Sequence, residues 1–119
     1  HEYLGACLDV ANSICAGERP DETIDCLAEH TINLHIKDYQ FKLDPYGVGF
    51  CIEGTPMGDG LTNTQSLLSK FIDTEISVIY EHWLPWPGNF EDAKKNEDKW
   101  TAESIVYLKS LTSELIQNQ

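Results

Sequence analysis

The strongest constraint on this chain is a repeated order: an apolar or β-branched run followed by an amphipathic one, three times over. Tyr3 to Val10 is apolar and closes on Asp9, Thr31 to Asp38 alternates through Leu34, His35 and Ile36, and Glu75 to Tyr80 is β-branched and leads into Glu81. Short runs of this composition read as strands. After the first, Pro20 with Asp21 and Glu22 suits an opening helical turn, Ile24, Leu27 and Ala28 supply the apolar stripe, and the helix is expected to stop near His30. After the second, Thr62 or Asn63 is the expected cap of a helix carrying Leu67, Leu68 and Phe71. From about Asp92 to Gln117, Trp100, Ile105, Leu108, Leu111 and Leu115 keep a helical period, with Thr101 or Asp98 as the expected cap of its main part. Strands alternating with helices make a parallel sheet. Three parallel strands do not close into a barrel and leave two raw edges. Near-continuous apolar strands need cover on both faces. The expectation is an α/β chain forming part of a larger (β/α) structure, and the first residue, His rather than Met, fits a piece of a longer protein.

Two connections stand apart. Tyr39 to Gly60 contains Gly47, Gly49, Gly54, Gly58 and Gly60, together with Tyr39, Phe41, Tyr46 and Phe50. A connection this long is usually functional when ordered, so it reads as an active-site loop with a short ribbon at Phe50-Cys51-Ile52. Asp59 reads as a turn, and Asn12-Ser13 as loop. The second connection holds Trp83, Pro85, Trp86, Pro87 and Gly88.

The net charge is −12, from 20 acidic and 8 basic residues. Phosphate backbones are bound by Lys and Arg clusters, so nucleic acid is not an expected partner, and neither is an anionic membrane surface. No apolar run approaches the roughly 18 residues of a transmembrane helix, and no signal peptide is visible. Cys7, Cys15, Cys26 and Cys51 form no Cys-x-x-Cys pair. They read as buried, reduced thiols of a cytoplasmic protein.

Parallel strands bring their C-terminal ends to one place, where such folds put their chemistry. Asp9, His35 and Glu81 would meet there. One imidazole and two carboxylates suit a divalent metal. Each has a plainer alternative. Asp9 caps a following helix, although the expected helix begins about ten residues later; His35 is a structural strand residue; Glu81 is a loop-edge carboxylate. Their matched strand-end positions favour the shared site. Asp38 orients the imidazole, accepts a substrate hydroxyl or makes an Asx turn. Trp83 and Trp86 either stack on a sugar ring or plug the space beneath a loop.

These residues carry a resemblance. Leu8-Asp9-Val10-Ala11-Asn12-Ser13, His35-Ile36-Lys37-Asp38, Gly54-x-Pro56-x-Gly58-x-Gly60, Glu81-His82-Trp83-x-Pro85-Trp86, Trp100 and Ser104-x-x-Tyr107-Leu108 together resemble the xylose-isomerase-like superfamily of sugar isomerases and epimerases. Its members are (β/α)8 TIM barrels. The resemblance implies that residues 1–119 are the C-terminal portion of a single barrel domain, supplying its last three βα units. In the ketose-epimerase branch one metal is held by Glu, Asp, His and Glu from four successive strands. The last three would be Asp9, His35 and Glu81, with the first Glu outside this chain. Glu81 would also move the substrate proton, and Asn12, Asp38, Trp83 and Trp86 would contact substrate. The metal implied is Mn2+, with Mg2+, Co2+ or Zn2+ as alternatives. Two positions depart from that branch: Asn12 stands where a His is common, and Phe41 where an Arg is common. The related DNA-repair endonucleases fit less well, because their His at the Asn12 position and their later Asp-x-His are missing here.

The implied function is a metal-dependent isomerase or epimerase acting on a ketose or polyol ketone through an enediolate. The alternatives are a dehydratase of the inosose or dehydroshikimate type and a non-catalytic carbohydrate-binding fragment. The expected partners are the substrate and either the remaining N-terminal part of the barrel or another copy of the chain.

Overall fold

The computed structural model describes residues 4–117, so the expected start of the first strand at Tyr3 lies outside the described residues. Strands β1 (Ala6–Asp9), β2 (Thr31–Ile36) and β5 (Ser77–Tyr80) form a parallel sheet in the order β1-β2-β5. The expected parallel sheet is therefore present, with β2 at its centre. Its register sets Asp9 beside His35 and His35 beside Ile79. Beyond the strand ends, the Val10 N–H donates to the His35 carbonyl at 3.3 Å and the Glu81 N–H to the Ile36 carbonyl at 3.0 Å. Pairing thus continues up to the level of the strand-end side chains.

Side chains alternate across a strand. Leu8, Val10, Leu34 and Ile36 share the face covered by helices and pack with Ile24, Met57, Leu67 and Phe71 into one buried cluster. Asp9, His35, Lys37 and Glu81 fall on the opposite parity, away from that layer. All four thiols are exposed, which corrects the expectation of buried cysteines. Cys7 shares the parity of Asp9 on β1, and Cys26 lies across α2 from the buried Ile24. Apolar character predicted burial, but the face each residue occupies decided it.

Among the described residues, four α-helices follow the strands. The expected loop at Asn12-Ser13 is a short helix, α1 (Asn12–Cys15). Asp9 Oδ1 accepts the N–H groups of Ala11 at 3.0 Å and Asn12 at 3.1 Å, gathering the chain into that turn. Helix α2 (Pro20–Leu27) opens on Pro20 with Asp21 and Glu22 in its first turn and runs into a 3-10 turn ending at His30. Helix α3 (Thr64–Ser69) is capped by Asn63, whose Oδ1 accepts the Ser66 N–H at 3.1 Å. Helix α4 (Phe90–Gln117) starts earlier than its apolar period suggests. Asn89 is its cap, in place of Thr101 or Asp98: its Oδ1 accepts the Asp92 N–H at 2.9 Å while its amide donates to Asp92 Oδ2 at 2.8 Å. Among the described residues no helix is long and apolar enough to cross a membrane.

The long connection after β2 is an antiparallel hairpin, β3 (Asp38–Leu43) with β4 (Phe50–Thr55), where a loop with a short ribbon was expected. Alternating side chains build it, with Phe41 edge-on to both Tyr39 and Phe50. Gly47 and Gly49 take positive φ in its connection, where Cβ-bearing residues are strained.

Asp38 anchors the return of this hairpin. Its fully buried carboxylate accepts backbone N–H groups from Tyr39 at 2.9 Å, Gly58 and Gly60 at 3.0 Å each, and Thr62 at 2.8 Å. A Cβ on Gly60 would land inside contact distance of both Asp38 Oδ1 and the Tyr39 carbonyl. Helix α4 docks through Ser104, which is buried: its hydroxyl accepts the Met57 N–H and donates to the Tyr80 hydroxyl, both at 2.9 Å. The Tyr80 hydroxyl lies 2.9 Å from His82 Nδ1.

Two outcomes follow in the intact protein. Gly60→Ala should lower stability by about 1–3 kcal/mol by chemical denaturation, because the added methyl overpacks the Asp38 cradle. Burial, reinforced by the Asp38 charge, raises the Tyr80 pKa above its ordinary 10.0, against a lowering by the Ser104 hydrogen bond. A raised acid pKa leaves its stabilisation intact below 10.0 and loses it as pH rises through the folded-state value. Thermal melts should therefore fall above about pH 10, and Tyr80→Phe should remove part of that dependence.

Candidate metal centre

The three strands deliver Asp9, His35 and Glu81 to one place. One ligand atom from each, a carboxylate oxygen or an imidazole nitrogen, lies within 4.8 Å of the others. His35 Nδ1 stands 3.7 Å from Glu81 Oε2. All three are half-buried, so the cluster is reachable from the side opposite the helices.

Lys37 completes the cluster. Its side chain is 2% exposed. Its ammonium lies 2.8 Å from Asp9 Oδ2, contacts Glu81 Oε1, and sits 4.6 Å from the centre of the Trp83 ring. A buried ammonium needs carboxylate partners, and here it has one from each outer strand. An aromatic face adds further attraction for a cation. The formal charges of the two carboxylates and the ammonium leave one net negative charge.

This donor set fits a divalent ion. Imidazole and carboxylate ligands together suit Mn2+, Zn2+ and similar metals. Asp9 and Glu81 are already turned towards a positive centre, the Lys37 ammonium, so the pocket has the polarity a metal requires. Asp9 is also oriented by the two amides of α1 that its other oxygen accepts.

Sequence reasoning passed over Lys37 as a site residue. The signal was present: His35 and Lys37 are two positions apart, and period-two alternation sends both to the same side. The other expected contacts are placed unevenly. Asn12 is exposed at the start of α1, next to Asp9 in space through its backbone N–H. Trp83 packs its ring on Lys37, and its backbone lies against Gly54, where any Cβ would collide with the Trp83 carbonyl. Trp86 is 61% exposed and meets Phe90 edge-on at 5.1 Å. Asp38 is turned elsewhere. Both of its oxygens are taken by the backbone amides of the 58–62 segment and Tyr39, so it orders that segment and does not face the cluster. Nor is it the expected Asx turn: apart from the adjacent Tyr39 N–H, the amides it gathers come from 20 to 24 residues along the chain.

No protein-family model matches this chain. It is 41% identical over 107 residues to the 3-oxo-isoapionate decarboxylase of Pectobacterium atrosepticum, a match that covers 88% of this chain and 39% of that protein. The chain thus spans about two fifths of the length of the curated relative it matches. Among solved structures, a xylose isomerase domain protein from Planctomyces limnophilus superimposes with a TM-score of 0.72 at 18% identity, over 98% of this chain and 40% of that one. A xylose isomerase-like TIM barrel protein from Mycobacterium smegmatis, solved in complex with magnesium, gives a TM-score of 0.62 at 19% identity, over 97% of this chain and 36% of that one. The parallel βα order, the sheet register and these superpositions agree: this chain has the fold of part of a xylose isomerase-like TIM barrel.

Proposed function

We propose that the protein carrying this chain is a divalent-metal enzyme that forms an enolate from a sugar-derived 3-oxo acid by releasing its carboxylate. The observation that carries this reading is the convergence of Asp9, His35 and Glu81 from three strands on one point. Residues 1–119 would serve as the last three βα units of one barrel domain. The remaining strands would close the barrel and add ligands. Asp9, His35 and Glu81 would hold the ion, with Mn2+ or Mg2+ the expected occupant; a magnesium complex of a protein with this fold supports the latter. When bound, the ion supplies an electrophile for the substrate's carbonyl oxygen.

The chain's own residues account for the rest. In a 3-oxo acid, breaking the bond to the carboxylate carbon leaves its electron pair on the neighbouring carbon, delocalised into the carbonyl as an enolate. That carbon then takes a proton, which Glu81, at the mouth of the cluster, would pass on from solvent. The exposed Trp86 ring offers a flat face to a sugar-like carbon chain, and Asn12 offers an amide at the rim. Decarboxylation is favoured by the 41% identity to a decarboxylase.

Isomerisation or epimerisation of a ketose is the second reading. It is favoured by the xylose isomerase-like fold and by the same strand-end carboxylate. It shares the enolate but begins with removal of a proton from the carbon beside the carbonyl, again a task for Glu81. A dehydratase would use the same first step.

Product analysis separates the readings in the intact, Mn2+-loaded protein. Stoichiometric CO2 release from a branched 3-oxo sugar acid supports the first, whereas ketose turnover with solvent deuterium uptake and no CO2 supports the second. Protein that takes up no metal fits neither. Glu81→Gln should lower kcat by about 100-fold or more. Asp9→Ala and His35→Ala should each weaken Mn2+ binding by at least about tenfold, the lower bound for losing even a supporting partner.

A further inference from the structure

We infer, resting on the role proposed above for Glu81, that helix α4 aims this side chain by gripping the residues on either side of it, with Ser104 and His82 as positioning residues. Glu81 lies one residue past the end of β5, and among the described residues that strand is paired on one side, with β2. The bond from the Glu81 N–H to the Ile36 carbonyl, at 3.0 Å, fixes its height on the sheet but not the direction of its side chain. Asp9 and His35 are placed more simply. Asp9 closes β1 and accepts two amides of the turn into α1, and His35 lies inside the central strand, paired on both sides.

The neighbours of Glu81 supply the missing direction. Tyr80 stands opposite Ile36 and packs against the core on the helix side. His82 is turned to the same side: its Nδ1 lies 2.9 Å from the Tyr80 hydroxyl, and the two rings meet edge-on at 5.2 Å. Two side chains of α4 complete the grip. Ser104, fully buried, donates its hydroxyl to the Tyr80 oxygen at 2.9 Å, and Trp100 meets the His82 ring edge-on at 5.8 Å. Positions 100 and 104 are about one helical turn apart and share one face of α4. With residues 80 and 82 both drawn to that face, the residue between them is turned the opposite way, as in an extended strand. The alternation of β5 is thereby carried past its last residue to Glu81.

The grip consists of directed bonds as well as packing. Ser104 Oγ is itself oriented by the Met57 N–H, which it accepts at 2.9 Å. The Tyr80 oxygen receives the Ser104 proton, which leaves its own for the His82 nitrogen. A chain of bonds thus runs from Met57 through Ser104 and Tyr80 to His82 and ends on the residue next to Glu81. Misplacing a reacting group by about 1 Å can cost on the order of 100-fold, so contacts that touch neither ion nor substrate can govern what Glu81 does.

Mn2+ titration of the intact protein, followed by electron paramagnetic resonance, tests the grip. His82→Leu is of similar size but loses the acceptor, and Ser104→Ala loses the donor. Each should raise the Mn2+ dissociation constant about tenfold or more, the effect of losing a partner that orients a ligand. His82→Asn, whose side chain can set an acceptor where Nδ1 stands, should recover most of that loss. In a Glu81→Gln background, His82→Leu should add little, because the carboxylate it aims is already gone. Wild-type affinity in folded His82→Leu, no recovery in His82→Asn, or a full further loss in the Glu81→Gln background would each overturn the positioning role. The His82 variants decide the matter if Ser104→Ala does not fold. A wild type that binds no Mn2+ would instead overturn the metal reading itself, so the two failures are distinguishable.

Discussion

The Lys37 ammonium is the contact on which the strand-end cluster depends. Asp9 and Glu81 belong to strands that do not touch, since β2 lies between them. Brought together alone they would repel, and nothing in the sheet's hydrogen bonding holds their side chains in line. The ammonium supplied by the residue just past β2 joins them across the central strand. Burial makes that contact more than a surface ion pair. Surface pairs contribute about 0–1 kcal/mol, while losing one partner of a buried pair leaves an uncompensated charge and is far more disruptive.

The central strand also concentrates the tasks. Leu34 and Ile36 fill the core against α2 and α3, while His35 and Lys37 face the cluster. Asp38 then turns into the hairpin and ties down the segment leading to α3. Five successive residues thus serve packing, the strand-end cluster, charge balance and loop closure. A slip of one residue in β2 would exchange the two faces and lose all of these at once.

Much of this was legible in the sequence where it depended on local periodicity. The order of elements, the parallel sheet and the three strand-end side chains followed from alternation and β-branched runs. The hairpin was obscured because Gly47, Gly49 and Pro45 punctuate a segment whose flanking runs do alternate. Lys37 was obscured because lysine after a strand reads as the start of a loop, although its parity with His35 carried the information. Asp38 could not be read locally. The amides that claim it belong to Gly58, Gly60 and Thr62, 20 to 24 residues further on. The cysteines were misjudged because composition states how apolar a residue is and leaves open which face it occupies.

The clamp at the foot of the hairpin has a wider consequence. Asp38 pairs with Thr55 in register, and its carboxylate closes the segment that follows. Everything beyond that foot, from Tyr39 round to Gly54, leaves and returns through a fixed gate. The hairpin tip carries exposed Leu43, Tyr46, Val48 and Phe50, and substitutions or length changes there need not displace His35 or Lys37. The scaffold thereby separates a fixed floor of strand-end side chains from an exposed ribbon tip. The ribbon can therefore be lengthened or redrafted beyond its foot while the strand-end cluster of Asp9, His35, Lys37 and Glu81 stays as it stands.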